Sequence, residues 1–519
     1  MSDTTPARAG RREWVALAVL ALPTLLVSID VYVLLLALPQ LSADLGASSV
    51  ELLWITDVYG FLLAGFLITM GTLGDRIGRR RLLLIGAAAF SVISVVAAYS
   101  TSPPMLIAAR AALGVAGATL APSTFSLIRT LFRDPKQLGT AIGLWGLCFS
   151  AGAVIGPLVG GTMLAHFWWG SVFVLGAPAM LLLVVLGPFL LPEYRDPAAG
   201  RLDLSSVVLS LAAVIPVSYG LKELAKNGWH AVPSAAVVLG VALGVVFVRR
   251  QRALPRPLLD LRLFANRSFA TALGATSTCA LLNGAIMLFI TQHLELVDGL
   301  SPVAAGLWMM PAIGLNALSF VVAPILARRF RPAYVIGGGL IISICGLLLL
   351  TRTDSVSGPL VLATGFALNF LGAGPMATLS IHLVLTSAPP ERAGAASALN
   401  ETSGQFGFAF GLAALGSIGA AVYGARFTPP SGIPAHAAAA AREGLTDAVV
   451  AARELPPDLA GALLAPAKAA FVDGLHLVGA LSAALLALVA VTITRLLRHV
   501  PPTGAPEDVK IRRTTTTSQ

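Results

Sequence analysis

The chain has 519 residues, of which 56% are hydrophobic and only 12% charged. A soluble protein of this size carries roughly 25% charged residues, so soluble cores do not account for the deficit and lipid is the natural solvent. The net charge of +10 does not point to nucleic acid, because the basic residues fall in short clusters between apolar runs.

A spanning helix needs about 20 mostly apolar residues. Runs of this kind predict an all-α membrane protein with fourteen spans, at 14–38, 51–73, 82–100, 104–128, 139–162, 169–191, 204–222, 231–248, 268–292, 303–326, 334–351, 359–386, 394–423 and 471–494. The first run is too long for the core of a cleavable signal. The most basic loop, 249–267, follows the eighth span. It suggests an N-terminal stub (1–13), a first bundle (14–191), two inserted spans with basic linkers (192–267) and a second bundle (268–494). Within the second bundle, 424–470 is the longest connector, Ala-rich and carrying Pro456 and Pro457. It predicts short helices, either a hairpin resting on the mouth of the bundle or a solvated connector. The tail 495–519 has little apolar content to fold around and reads as disordered beyond Pro501. Cys148, Cys279 and Cys345 lie inside apolar runs without metal or disulfide spacing, and read as packing residues.

Loop charge predicts orientation. Alternate connectors and the two termini hold 27 of the 35 Lys and Arg, and the opposite connectors hold seven. By the positive-inside rule both termini are cytoplasmic and 424–470 is external. An even number of spans follows.

Charge inside lipid is rare and costly, which makes each instance a functional candidate. In chain order the candidates are Asp30 in span 1, Asp57 in span 2, Arg110 in span 4, His382 in span 12 and Glu401 in span 13. Asp30 and Asp57 lie about two turns from the external ends of their spans, roughly 10–12 Å deep. Glu401 lies about two turns from the other face. After span 2 the chain reads GTLGDRIGRRR over 71–81, with Gly71, Asp75, Arg76, Gly78 and Arg79 regularly placed. Its glycines allow close helix approach, and Asp75 can bond helix ends and basic partners. Two readings stand for this turn, a gate and a topology-setting basic cluster. Buried Arg110 needs an acid or several carbonyls; it either tunes proton binding at a neighbouring acid or makes a structural ion pair. Span 5 carries GAVIGPLVGG over 152–161, where Pro157 bends the helix and Gly152, Gly156, Gly160 and Gly161 let a neighbour pack closely.

These motifs resemble the major facilitator superfamily. The 71–81 turn is similar to its signature G-x-L-x-D-R-x-G-R-[KR]. The span-4 arginine resembles R-x-x-Q-G, with Leu113 where glutamine is usual, and span 5 resembles the antiporter signature G-x-x-x-G-P-x-x-G-G. Asp30 with Ala37, Leu38 and Pro39, Trp54 with Tyr59, and Glu401 further resemble the fourteen-span drug:proton antiporters, which export quaternary ammonium compounds. The likeness covers about 14–495.

The resemblance implies two six-helix bundles rocking about a midplane site, with spans 7 and 8 inserted between them. It implies a monomeric proton-coupled efflux antiporter in the cytoplasmic membrane, needing no cofactor and driven by the proton gradient, whose partners are lipophilic cations, protons and lipid. Asp30, Asp57 and Glu401 are the expected acids, Arg110 their associate and the 71–79 residues the gate. Trp54, Tyr59, Trp145, Trp308, Met309, Met310, Phe406, Asn316, Asn369 and His382 are candidate cavity walls; each alternatively packs or bonds structurally. The main alternative is a narrow exporter of one antibiotic or metabolite. The span-5 pattern argues against a nutrient symporter. No metal cluster, nucleophile–base pair or phosphate loop in the sequence suggests an enzyme.

Overall fold

The computed structural model describes residues 9–503 except 48, 194, 196–202, 228, 255–256, 258, 260, 355–357 and 389–392. The predicted disordered stretch 504–519 lies outside the described residues. Regular structure among the described residues is entirely helical. The helices are α1 (Arg11–Leu45), α2 (Ser49–Ile77), α3 (Arg79–Ala98), α4 (Pro103–Gly117), α5 (Leu120–Leu131), α6 (Pro135–His166), α7 (Ser171–Val174), α8 (Gly176–Leu190) and α9 (Leu204–Asn227). They continue as α10 (Ala231–Ala253), α11 (Arg267–Gln292), α12 (Pro302–Arg329), α13 (Pro332–Leu350), α14 (Pro359–Ser387), α15 (Ala393–Arg426), α16 (Ala435–Glu443), α17 (Leu445–Ala452) and α18 (Pro457–Leu496).

Among the described residues thirteen stretches are long and apolar enough to cross a membrane. The remaining predicted span, 139–162, lies within α6, a continuous helix of 32 residues. Prolines in the first turn begin many of these helices, among them Pro103, Pro135, Pro302, Pro332 and Pro359, because a first-turn position leaves the missing N–H without cost. Large apolar side chains such as Val92, Phe189, Val208 and Val238 stand exposed around the periphery, as a lipid-facing surface requires.

Three elements differ from the sequence reading. Spans 4 and 6 are each one crossing stretch as expected, but their helical hydrogen bonding is interrupted. The interruptions fall at Ala118–Thr119 between α4 and α5 and at Leu175 between α7 and α8, where the backbone stays right-handed helical. Pro122 and Pro178 lie four residues after Ala118 and Val174 and supply no N–H to those carbonyls. The last span starts at Pro457 rather than 471. Pro456 and Pro457 begin a helix there instead of interrupting a loop, so the connector contracts to the α16–α17 hairpin and its flanks.

The buried side chains form two large clusters. One joins α1 to α8, and the other joins α11 to α18. Between them α9 and α10 pair, Gly220 meeting Pro233 and Val237 and Gly240 meeting Ala213 and Val217. The pair leans on α2, where Ile215 and Leu211 meet Gly65. At its arginine-rich end Arg250 donates to Asp203 at 2.8 Å, and Ser206 donates to the same carboxylate at 2.7 Å. These bonds hold the Asp203 carboxyl below its ordinary range, the Ser206 hydrogen bond most strongly, then Arg250.

The two clusters meet at the arginine-rich ends of the helices. Ile68 of α2 packs into the second cluster, and Ile381 and Leu385 of α14 into the first. Arg328 of α12 donates to the Thr140 hydroxyl of α6 at 2.6 Å. The conformer is therefore closed at that end.

Candidate functional site

Arg110 and Asp30 form a buried ion pair inside the first bundle. Arg110 on α4 is 1% exposed and donates through Nη1 to Asp30 Oδ2 on α1 at 2.8 Å. Its Nε donates to the Ile55 carbonyl of α2 at 3.1 Å. The guanidinium lies over the Tyr59 ring, 4.6 Å from the centroid. Three helices thus converge on one planar cation, which needs acceptors and a ring face arranged in this way to be buried at all. The approach depends on Gly114: a methyl there would come within 2.5 Å of the Tyr59 carbonyl. The Tyr59 hydroxyl is buried with no hydrogen-bond partner among the described residues. Leu113, where glutamine was the expected neighbour, is fully buried and apolar. Asp57 is on α2, but its side chain lies outside the described residues.

The second bundle holds its acid differently. Glu401 is on α15, eight residues in from the helix start at Ala393, or about 12 Å along the axis. Half-buried, it has no hydrogen bond or ion pair among the described residues. Buried polar atoms without partners flank it on the same helix: Ser397 Oγ, Asn400 Oδ1 and Thr402 Oγ1. One acid is therefore saturated by an arginine and the other stands in a polar, unsaturated stretch.

The span-5 motif lies in the C-terminal half of α6 and faces α1. A methyl at Gly152 would strike the Leu25 carbonyl and Ser28, and one at Gly160 would strike Val33. Ser28 donates to the Phe149 carbonyl at 2.8 Å. Gly156 is buried, while Pro157 and Gly161 lie outside the described side chains. The motif thus clamps α1 on either side of Asp30. The N-terminal half of α6 carries a second glycine face that the sequence reading missed. Gly139, Gly143 and Gly146 meet Pro324 and Phe320 of α12, in the other bundle. Their i, i+4, i+7 spacing on one helix face was legible.

At the arginine-rich turn, Arg79 is fully buried and pairs with Asp75, itself 8% exposed. Gly71 and Gly78 are buried and Arg76 is half-buried. Gly78 has φ +111°, a region that favours glycine. An added methyl there would come within 2.4 Å of Glu193 Oε1. Glu193, just beyond α8, accepts from the Arg80 backbone at 3.2 Å and lies 3.5 and 3.7 Å from the Arg80 and Arg81 side chains. The sequence reading did not single it out; its signal was an acid directly after the sixth span.

The candidate cavity walls disperse. Trp54 stacks on Tyr219 of inserted helix α9, with centroids 6.0 Å apart. Trp145 packs on Phe125 at 4.4 Å. Trp308 and Met309 sit in the second bundle's core, and Met310 and Phe406 are half-buried. Asn316 donates to the Phe370 carbonyl at 2.8 Å, Asn369 donates to Asn283 at 3.4 Å, and His382 is buried on α14.

This geometry can be set beside known proteins. Residues 20–412 match the sequence profile of the Major Facilitator Superfamily. The chain belongs to the major facilitator superfamily. It is a transporter, not an enzyme, and the all-α architecture expected from its sequence is the one found. It is 42% identical over 486 residues to the multidrug efflux pump LfrA of Mycolicibacterium smegmatis, covering 94% of this chain and 96% of that one. Identity to the methyl viologen resistance protein SmvA of Salmonella typhimurium is 35%, over 89% of this chain and 93% of SmvA. A tetracenomycin C resistance and export protein of Streptomyces glaucescens is 30% identical, over 98% of this chain and 97% of that one. Efflux of, or resistance to, toxic compounds is the shared theme of these relatives, and the chain falls among the superfamily's multidrug exporters. The fold is also that of a solved bacterial homolog of the human lysosomal transporter Spinster, with a TM-score of 0.56 at 19% identity, covering 94% of this chain and 99% of that one.

Proposed function

We propose that this drug exporter is a proton-coupled antiporter that expels lipophilic cations, quaternary ammonium compounds and dyes among them, by alternating access. The observation that carries the reading is the contrast between its acids: Asp30 neutralised by Arg110 at 2.8 Å, Glu401 without a partner among the described residues. An acid that a proton can neutralise and a cation can pair with serves both halves of an exchange.

In this reading residues 14–191 and 268–494 are the two rocking bundles, the α9–α10 pair is the insertion, and the arginine-rich end faces the cytoplasm. The protein acts as a monomer in the cytoplasmic membrane. The present conformer, closed at the arginine-rich end, is then the one in which cargo has left and protons arrive from outside. A proton on Asp30 ends its attraction for Arg110, leaving the guanidinium with one carbonyl and a ring face. A buried arginine so deprived is costly, which favours rearrangement of α1, α2 and α4. Asp75 with Arg79 and Glu193 with Arg80 and Arg81 hold the gate at that face. One proton exchanged for one monovalent cation moves no net charge, so a pH gradient alone drives it.

The second reading, a narrow exporter of one antibiotic, has support in the tetracenomycin C exporter's match over nearly the whole chain. The higher identity to a multidrug pump favours the broad reading. The test is ethidium efflux from cells expressing the protein, with the proton gradient intact and then collapsed. Efflux that stops on collapse supports proton-coupled export of cations. Efflux that continues removes the coupling, and no ethidium efflux in either condition favours the narrow exporter.

A further inference from the structure

Near mid-length of α11, α12 and α14, within the second bundle, lies a cavity of about 220 Å³ whose walls include Thr276, Asn283, Asn316, Phe320, Phe370 and Met376. A cavity of about 150 Å³ with apolar walls accepts benzene, so this one admits one or two fused aromatic rings. Two kinds of surface meet in it. Phe320, Phe370 and Met376 present ring faces and a polarisable thioether, which suit a flat aromatic guest. Asn283 and Asn316 present amides, and no charged residue lines the cavity.

The two amides are not equivalent. Asn316 spends its nitrogen on the Phe370 carbonyl at 2.8 Å. Asn283 makes a single long contact, accepting from Asn369 at 3.4 Å. An amide oxygen has two lone pairs and its nitrogen two donors, so most of the Asn283 capacity is unspent among the described residues. A half-buried amide with spare capacity beside two ring faces is a site for the polar edge of an aromatic molecule.

We propose that this cavity is a subsite for a planar aromatic ring of the exported molecule, with Asn283 hydrogen-bonding a substituent at the ring edge. The proposal rests on the reading of the chain as a cation exporter and names what that reading leaves open, the feature that separates aromatic from alkyl cargo. No carboxylate lines the cavity among the described residues, so the positive charge is met mainly elsewhere. Phe320 gives the subsite a second consequence. Its ring is also the group that abuts Gly146 of α6, where an added methyl would come within 2.3 Å of it. A guest pressing on Phe320 therefore bears on the contact that closes the arginine-rich end.

Ethidium and cetyltrimethylammonium both carry a permanent positive charge, but only ethidium has fused rings and ring-edge amines. Binding of each to the purified full-length protein in detergent is measured for wild type, for Ala377→Phe, at an alanine of α14 that also lines the cavity and whose enlargement fills it, and for Asn283→Leu, which keeps the amide's shape without its polarity. Ala377→Phe is expected to weaken ethidium binding about tenfold or more, and Asn283→Leu about threefold to tenfold, each with cetyltrimethylammonium within about twofold of wild type. Equal weakening of both cations, unchanged ethidium binding in both variants, or no ethidium binding by wild type would overturn the subsite. Export is scored separately: failure of wild type to move either cation along a proton gradient removes the export reading while the binding comparison still decides the subsite.

Discussion

Arg110 and Asp30 lie 2.8 Å apart, nitrogen to oxygen, joining α4 to α1 in the interior of the first bundle. Removing one partner of such a pair strands a buried charge, at a cost of about 3–5 kcal/mol. Asp30→Asn is therefore expected to lower abundance and to abolish pH-driven efflux. The double variant Asp30→Asn, Arg110→Gln removes both charges and is expected to regain abundance without regaining coupling. Dye transport in inverted vesicles across a range of pH gradients, at matched protein level, checks both. Asp30→Asn vesicles that still respond to the gradient would take the coupling role away from this acid.

Glu401 has no ion pair or hydrogen bond to lose among the described residues. Glu401→Gln should accordingly leave abundance within about 0.5 kcal/mol of wild-type stability, the range of substitutions that break no contact. Its effect falls on cargo. A dication gains more from each added charge than a monocation, so dication export is expected to drop about tenfold and monocation export much less. Paired efflux assays with a bis-quaternary and a mono-quaternary compound decide it. Equal losses for the two classes would remove the selectivity role.

The contrast between these acids was only partly legible in the sequence. Charge in an apolar run is visible from composition, and Asp30, Arg110 and Glu401 were found that way. Which of them pair is a matter of helix adjacency, and adjacency here turns on glycines whose partners are distant in sequence: Gly114 against Tyr59, and Gly152 against Ser28. Span number and position were legible because lipid demands long apolar runs. The interruptions at Ala118–Thr119 and Leu175 were marked by Pro122 and Pro178, yet a hydrophobic run does not reveal whether proline bends a helix or interrupts its hydrogen bonding. The cavity around Asn283 was not legible at all. Nothing in the local pattern tells an amide that spends its donors from one that does not.

Gly146 faces the Phe320 ring across the seam between the bundles, and a methyl there would come within 2.3 Å of it. Gly146→Ala should disfavour the closed arginine-rich end by about 1–3 kcal/mol, the usual cost of overpacking. Maleimide labelling of a cysteine introduced at Thr140, in a background lacking Cys148, Cys279 and Cys345, is expected to accelerate. Adding Phe320→Ala should restore slow labelling. Gly152→Ala, which crowds α1 within one bundle, should instead lower abundance. Unchanged labelling in Gly146→Ala would show that this contact does not govern closure.

Two acids hold the arginine-rich turn, and burial separates their effects. Asp75 and its partner Arg79 are 8% and 0% exposed. Glu193 faces the Arg80 and Arg81 side chains, which are 28% and 68% exposed. Exposed pairs contribute about 0–1 kcal/mol and are screened by salt. Asp75→Asn is thus expected to cut transport about tenfold or more at matched abundance, and Glu193→Gln by about threefold or less. Raising ionic strength should mimic Glu193→Gln and leave the Asp75–Arg79 contribution in place. Wild-type efflux in Asp75→Asn would remove its gating role.

His293 sits in a π-helical turn, His293–Val297, at the end of α11, and is 0% exposed. Neither ring nitrogen has a hydrogen-bond partner among the described residues. Asp298 Oδ2 lies 3.8 Å from Nε2, beyond hydrogen-bond reach. The neighbouring cation, Lys468 of α18, donates to the Val297 carbonyl at 2.6 Å instead. Burial holds the Asp298 carboxyl above its ordinary range, with Lys468 acting in the opposite sense. An acid raised in the folded state contributes stability that is fully present below its unfolded pKa and is lost as pH rises through its folded pKa. The unpaired ring is a separate burden, since an unsatisfied buried polar group costs about 1–3 kcal/mol. Phenylalanine at this position would meet Phe471, whose ring centroid is 6.4 Å from the imidazole, and would remove both unpartnered ring nitrogens. His293→Phe is expected to raise the thermal midpoint by about 1–4 °C at neutral pH. Thermal unfolding of wild type and variant in detergent, from pH 5 to pH 8, checks this. A lowered midpoint across the whole range would mean that the imidazole is bridged by water to Asp298 and that the turn depends on that bridge.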